Sequence, residues 1–364
     1  MDPLRVGVIG CGNISGIYLD NLAAYPETEV VALADLDLDR AATVASARGI
    51  GRVLTPQQLL SDESVDLVLN LTVPKAHAEI NLAAVEAGKH VYTEKPFALT
   101  TREGRMVLEA ARRNGRFVGG APDTFLGAGI QACVDAIDQG LIGEVVAANA
   151  FMMCHGHESW HPSPEFYYEV GGGPMFDMGP YYLTALVALV GPIRSVQAMT
   201  RITFAERTIT SEPKRGQKVP VETPTHLAAL LEFENGAIGQ ITTSFDIWHH
   251  TMPHLEIYGT EGSLRVPDPN GFGGEVWVRR AGDAEWNAIQ IGQAYSQNSR
   301  GLGVRDMAYA LCVGRAVRAG GELAYHVLDA MEAVVRSGER GERVTLESWV
   351  ERPARLAGEP FANG

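Results

Sequence analysis

The stretch VGVIGCGNISG (6–16) decides how the amino-terminal half of this chain is read. An apolar run, VGVI, closes on Gly10-x-Gly12-x-x-Ser15 and leads into a helix-patterned segment. Gly10 permits the tight turn, and Gly12 lets backbone N–H groups approach a pyrophosphate at the helix N-terminus. Asn13 and Ile14 fall in the same turn and are candidate cofactor contacts. Ser15 stands where a third glycine is usual, with Gly16 beside it; a small residue there still lets helix pack on strand. Taken alone, Gly-x-Gly is often only a turn.

Context strengthens it. Asp35 ends the next strand candidate, EVVALAD (29–35), at the spacing where a carboxylate accepts from the adenosine ribose 2′-OH. A carboxylate repels a 2′-phosphate and Leu36 is no phosphate clamp, so NAD is expected in preference to NADP. The competing role for Asp35 is a helix cap, one that Asp37 or Asp39 could fill instead.

Working outward, LRVGVI, EVVALAD, VDLVLNL, KHVYTE and RFVGG read as strands. Helix-patterned segments such as HAEINLAAVEAG (77–88) and REGRMVLEAARRNG (102–115) lie between them. Connections of that length imply a parallel sheet covered by helices, a Rossmann-type α/β domain over residues 1–122. The pattern then changes. After one helix candidate, GAGIQACVDAIDQG (127–140), strand-like runs dominate to about residue 291. HLAALLEFENGAIGQITTSF reads as a hairpin turning at Asn235-Gly236, and HLEIYGTEGSLRV as a second. Consecutive strands without crossovers imply a mostly antiparallel open sheet, so residues 123–346 form a second α/β domain, with a tail over 347–364. Helices near 303–318 and 323–337 close it, and TSEPKRGQKVPVETP (210–224) reads as a mobile loop.

Composition excludes several classes. With 30 Lys and Arg against 44 Asp and Glu, the formal net charge of −14 argues against nucleic acid or an anionic membrane as the main partner. No apolar run approaches the ~20 residues that span a bilayer, and no basic-then-apolar leader is evident. Cys11, Cys133, Cys154 and Cys312 form no CxxC pair, so neither a disulfide framework nor a thiolate zinc site is suggested. The expectation is a reduced, cytoplasmic protein.

Four landmarks carry a resemblance: GCGNIS, NLTVPKAHAEINLAAVEAGKHVYTEKP (70–96), GLIGEV and GGGPMFDMGPYY (171–182). Together they resemble the Gfo/Idh/MocA oxidoreductases, the family of glucose–fructose oxidoreductase and inositol dehydrogenase, over about residues 4–346. The resemblance implies a Rossmann domain followed by a mostly antiparallel α/β domain, and NAD(P)-linked chemistry at a carbinol carbon of a sugar, inositol or related polyol. It implies that Lys95 contacts the substrate hydroxyl, that Glu94 lies near the nicotinamide ribose, and that the Lys95–Pro96 bond is cis. Beside an oxidised nicotinamide the Lys95 ammonium is disfavoured, which eases proton exchange with an alkoxide. Thr72, Pro74 and His77 are cofactor-side candidates; His77 is equally a structural residue at a helix start.

The family pattern Asp-x-Gly-x-His places aspartate on the substrate and histidine as acid/base. Here Asp177 and Gly179 are present and Tyr181 holds the histidine position, so Tyr181 becomes the expected proton-transfer residue. Tyrosine starts from a pKa of ~10 and needs positive charge nearby to act as a base; Tyr182 reads as core. Relatives often carry arginine at the position of Thr124, leaving Asp123 either at the pocket or as a cap of the following helix. CHGHESWHPSPEFYYEV concentrates His155, His157, Trp160, His161 and two tyrosines upstream. His-x-His raises a metal question, but no HExxH spacing or carboxylate cluster completes a site, and substrate lining by Trp160 and His161 is the preferred reading.

The leading expectation is an NAD-dependent dehydrogenase of a sugar, inositol or polyol, assembled as a homodimer or homotetramer. Two other classes stay open: a glycoside hydrolase or lyase using NAD transiently, and a non-catalytic sugar-sensing regulator on the same fold.

Overall fold

Six short runs form one all-parallel sheet: β1 (Leu4–Ile9), β2 (Thr28–Ala34), β3 (Val53–Leu54), β4 (Leu67–Asn70), β5 (His90–Thr93) and β6 (Val118–Gly120). Their order is β3-β2-β1-β4-β5-β6. All four residues of β4 are buried, as expected of a strand covered on both faces. The computed structural model describes residues 2–356, 359 and 361.

Helices α1 (Ser15–Ala24), α2 (Leu38–Arg48), α3 (Pro56–Leu60), α4 (His77–Glu86) and α5 (Thr101–Asn114) connect these strands. Their ends carry local signals. The Asp37 side chain caps α2 by accepting from the Arg40 N–H, and Gly49 ends it at φ 68°. A Thr100/Glu103 capping box starts α5. With Asp37 as the cap, the Asp35 carboxylate is released for another role.

Register aligns the strand ends. Ile9 pairs with Ala34 and with Asn70, Asn70 with Thr93, and Thr93 with Gly120. The residues just past this row are Gly10, Asp35, Leu71, Glu94 and Ala121, so they emerge along one edge. The order reverses between β1 and β4, where doubly wound sheets take their ligands.

The chain divides into two compact units, Met1–Gly127 with Gln297–Leu328, and Ala128–Ser296 with Asp329–Gly364. This differs from contiguous domains at 1–122 and 123–346. Gln297–Leu328 group with the parallel sheet. There the Gly120 N–H donates to Ala319 O (3.0 Å), and the Arg305 guanidinium clasps Glu27 at 2.7 and 3.1 Å. Asp123 does not cap the helix that follows it: its carboxylate accepts from the N–H groups of Gly301 and Gly303 at 2.8 and 2.9 Å.

The second unit begins with α6 (Ala128–Asp138) and β7 (Val145–Met153), followed by α7 (Gly173–Asp177) and α8 (Gly179–Val190). The strands that follow are β8 (Ile193–Arg201), β9 (Glu206–Thr208), β10 (Lys218–Pro220), β11 (His226–Phe233), β12 (Ile238–Ser244), β13 (Leu255–Gly259), β14 (Gly262–Val266), β15 (Val276–Arg280) and β16 (Asn287–Ile289). Helices α9 (Leu302–Val313) and α10 (Gly321–Arg340) and strand β17 (Val344–Thr345) end the described elements.

Nine of these strands form a sheet in the order β16-β15-β14-β13-β7-β12-β11-β8-β17, antiparallel except between β7 and β12. Both hairpins read from the sequence are present, β11–β12 and β13–β14. The segment expected to be a mobile loop instead supplies β10, which pairs with β9 in a two-stranded ribbon. Every residue of α8 is buried. On the sheet's other strand faces, Met199, Leu230 and Ile238 are exposed.

Candidate active site

The glycine turn is built for close approach. Gly10 has φ +103°, and a Cβ there would lie 2.6 Å from the Leu71 carbonyl. A Cβ on Gly12 would meet nothing within 4 Å, so the surface above this turn is open. Helix α1 begins at this point with no side-chain cap and no acidic residue in its first turn. Uncapped N–H groups and the positive end of a ten-residue helix form an anion-binding end. Asn13 is exposed and Ile14 half-buried beside it.

Asp35 stands alongside. One carboxylate oxygen accepts from the Cys11 N–H (2.8 Å), and the other from the Asp37 N–H (2.9 Å), with Arg40 at 3.3 Å. It therefore ties β2 to the glycine turn while keeping part of its surface accessible. The open turn, the uncapped helix start and the fixed carboxylate together fit a dinucleotide. The Cys11 thiol is buried and its pKa is pushed up to about 11, mainly by burial, so it is no nucleophile.

The next two strand ends are locked to each other. Asn70, fully buried, accepts through its side-chain oxygen from the Thr72 N–H and hydroxyl at 3.2 and 2.7 Å. His77 is also fully buried; Nδ1 faces the Pro96 carbonyl at 2.7 Å and Nε2 the Thr72 carbonyl at 3.0 Å. Burial holds its pKa below that of ordinary imidazole. His77 thus ties the Thr72–Pro74 turn to the loop after β5, and both of its ring nitrogens are engaged within the protein. Pro74 opens the short 3-10 turn Pro74–Ala76.

Glu94, buried beneath that loop, accepts from the Tyr18 hydroxyl (2.8 Å) and the Lys95 N–H (2.9 Å). Its carboxylate braces the loop from below. The Lys95–Pro96 bond is cis, and Lys95 is half-buried at the strand's carboxyl end.

The second unit carries the other group. Gly171 and Gly173 have positive φ, and Gly173 lies against the Pro224 carbonyl, which brings the chain into α7. Asp177 ends α7, and Gly179 starts α8, packed so closely that a Cβ would lie 2.7 Å from the Met175 sulfur. Tyr181 is buried one turn into α8. Tyr182 is core, its hydroxyl 3.0 Å from His254 Nδ1.

The histidine nearest Asp177 is His157, with Nε2 at 3.1 Å from Oδ2. His161 does not take that place. Its Nδ1 accepts from the Ser163 N–H at 3.0 Å, and burial lowers its pKa. It joins the same ring cluster through Tyr167 and Trp160, the latter 61% exposed. Gly156, at φ +73°, turns the flanking histidines into different surroundings: His155 stacks on Trp248 at 3.4 Å, and His157 meets Asp177. Behind them Arg207, almost fully buried, is paired with Glu158 (3.0 Å) and Asp246 (2.8 Å). The His-x-His spacing drew attention to this loop, but nothing in it distinguished His157 from its neighbours.

Residues 4–120 match the oxidoreductase family with an NAD-binding Rossmann fold, and residues 130–265 match the Gfo/Idh/MocA C-terminal domain. The 1,5-anhydro-D-fructose reductase of Ensifer adhaerens is 30% identical over 71% of this chain and 74% of its own length. This chain belongs to the Gfo/Idh/MocA oxidoreductase family. Its first unit contains the family's NAD-binding Rossmann domain, and the family's named members include sugar and polyol dehydrogenases and reductases. The D-glucoside 3-dehydrogenase of Escherichia coli is 25% identical over 94% of this chain and 98% of its own. Levoglucosan dehydrogenase in complex with NADH and L-sorbose shares the fold, at a TM-score of 0.84, 22% identity and coverage of 96% and 100% of the two chains.

Proposed function

We propose that this Gfo/Idh/MocA oxidoreductase oxidises or reduces a carbinol carbon of a sugar, inositol or related polyol, using NAD in preference to NADP. The observation that carries the reading is the row of strand ends. The open turn at Gly12, the Asp35 carboxylate and the Lys95 loop follow β1, β2 and β5 at one edge of the parallel sheet, with only β4 between β1 and β5. Asp35 supports NAD, because a fixed carboxylate accepts from a ribose hydroxyl and repels a phosphate. When bound, NAD supplies the hydride acceptor or donor.

On this reading Gly10, Gly12, Asn13 and Ile14 cradle the pyrophosphate. Thr72 and Pro74 flank the nicotinamide, and His77 and Glu94 hold the shape of that wall. Lys95 contacts the reacting hydroxyl, and its ammonium favours the alkoxide as the C–O bond changes order. Asp177 and Tyr181 orient the substrate, and Trp160 and His161 line its approach with an aromatic face and ring nitrogens suited to C–H surfaces and hydroxyls. The chemistry has no role for a metal.

A homo-oligomer is part of the proposal, a dimer or tetramer. Met199, Leu230 and Ile238 lie exposed on neighbouring strands β8, β11 and β12, an apolar face that a lone subunit would rarely leave in water. No helix among the described residues is long and apolar enough to cross a membrane.

The test is a panel of sugars, inositols and glycosides assayed with NAD for NADH formation, run beside a measurement of dinucleotide that copurifies. NADH formed in proportion to a carbonyl product supports the proposal. Tightly retained NAD with bond cleavage and no net NADH points to transient oxidation instead. Absence of both dinucleotide binding and turnover overturns it.

A further inference from the structure

We propose that His157 is the proton-holding residue of this enzyme, oriented by Asp177, and that it takes the place of the histidine missing from the start of α8. The inference rests on the dehydrogenase reading given above. The Nε2–Oδ2 separation is 3.1 Å, and both side chains are largely buried, at 12% and 14% exposure. A carboxylate on one ring nitrogen keeps the proton on that nitrogen and leaves the other with its lone pair free. Among the described residues no hydrogen bond is made by His157 Nδ1. The ring has a fixed tautomer and a vacant basic nitrogen.

Packing fixes its plane. Tyr167, Phe245 and Trp160 meet the imidazole edge-on at centroid distances of 4.4, 4.7 and 5.2 Å. Gly156 is required for this placement. It holds φ +73°, and a Cβ there would collide with the Glu158 carboxylate and the Tyr168 hydroxyl. The charged groups around the ring are otherwise spoken for. Glu158 and Asp246 are paired with Arg207, and Glu165 with Lys214. His155 lies over Trp248 beside Arg207, and His161 Nδ1 accepts from Ser163. Asp177 is the carboxylate within hydrogen-bond distance of the ring, at Nε2.

In the oxidative direction the substrate O–H bond breaks and its proton passes to His157 Nδ1. The oxidant would be bound nicotinamide cofactor, which would take the carbinol hydrogen with its electron pair as hydride. The products are a carbonyl, the reduced cofactor and an imidazolium facing Asp177. Reduction runs the same transfers backwards.

Two measurements test this. The first needs no turnover: nitrogen NMR of the histidine-labelled, unliganded protein should show His157 as the Nε2–H tautomer, and Asp177→Asn should mix the tautomers. A dominant Nδ1–H tautomer in the unaltered protein overturns the proposal, whatever the enzyme's substrate. The second uses His157→Ala. Loss of a positioned acid/base should lower kcat by roughly 100- to 10,000-fold, with the dissociation constant for NAD unchanged. Added imidazoles should restore turnover in proportion to their basicity, which a purely structural residue would not allow. Full activity in His157→Ala, or a loss that no imidazole repairs in a variant shown to be folded by its unfolding midpoint, overturns the role. If no sugar or polyol is turned over while the tautomer result holds, the dehydrogenase reading fails and the His157–Asp177 pair stands.

Discussion

The Tyr18 hydroxyl donates to Glu94 at 2.8 Å, linking the first helix of the dinucleotide fold to the carboxylate beneath Lys95. The phenol is fully buried, and burial next to Glu94 drives its pKa well above that of free tyrosine, so it is a permanent donor. Tyr18→Phe removes that donor and leaves the buried Glu94 carboxylate with one fewer internal hydrogen bond. The expected cost is about 1–3 kcal/mol, read as a lower denaturant midpoint. Because Glu94 also receives the Lys95 N–H, turnover should fall with it while NAD affinity changes less.

Asp35 should set the cofactor preference. Asp35→Ser is expected to weaken NAD binding and to narrow the discrimination against NADP, with Arg40 then released from Asp35 and held only by Asp37 at 3.5 Å. Direct titration of both cofactors checks this. Tighter binding of NADP by the unaltered protein would refute the assignment.

Stability should fall on acidification through the histidines. His90 accepts the Phe117 N–H at 3.0 Å, and burial, then Arg116, lowers its pKa to about 4. An unfolded imidazole titrates near ~6.5, so between these values the unfolded chain binds more protons. The contribution is complete above ~6.5 and is lost as pH falls towards the folded value. His77, also lowered by burial, adds in the same direction. Asp123 opposes: its pKa is raised to about 6, chiefly by burial, so its contribution declines as pH rises towards that value. Urea midpoints across this range should show a shallower slope in His90→Gln than in the parent.

Much of the first unit was legible because its signals are local. The Gly10–Ser15 turn, the Asp35 position and the apolar strand runs each depend on a few adjacent residues, and the parallel pairing follows from connections long enough for a helical crossover. The landmarks around Lys95 and Asp177 were likewise visible as motifs. What escaped was set by distant packing. The caps illustrate it: Asp123 serves a helix that starts at Leu302, across a separation no local pattern records. His157 and Asp177 are brought together by the left-handed turn at Gly156 and by Tyr167 and Phe245, which is why the sequence alone favoured His161 over His157. The charged stretch at 210–224 was read as loop because Lys218–Pro220 finds its partner strand only in three dimensions.

The exposed apolar face of the second sheet should control assembly. Leu230 is 55% exposed and Ile238 61%, and Leu230→Glu with Ile238→Lys places charge where two copies would meet. Light scattering should report a smaller species than the parent's at equal concentration. A parent that is already a monomer would end this proposal.

Tyr181→Phe and His157→Ala should separate in degree. On the proposed roles, the tyrosine change removes a hydroxyl that orients the substrate, and the histidine change removes a proton acceptor. Turnover should therefore fall less in Tyr181→Phe, with its effect divided between KM and kcat. The reverse ranking would return the proton to Tyr181, where the family pattern first placed it.

The late return of residues 297–328 to the first unit has a practical side. A gene fragment ending near residue 127 would encode all six parallel strands but would lack the Ala319 carbonyl that pairs with Gly120 and the two N–H groups that satisfy Asp123. Such a fragment should misbehave when expressed alone and recover when a peptide spanning 297–328 is supplied in trans or grafted onto its end. The cofactor module is thus inherited as two pieces of one reading frame, and any shuffling of this domain between relatives has to carry both.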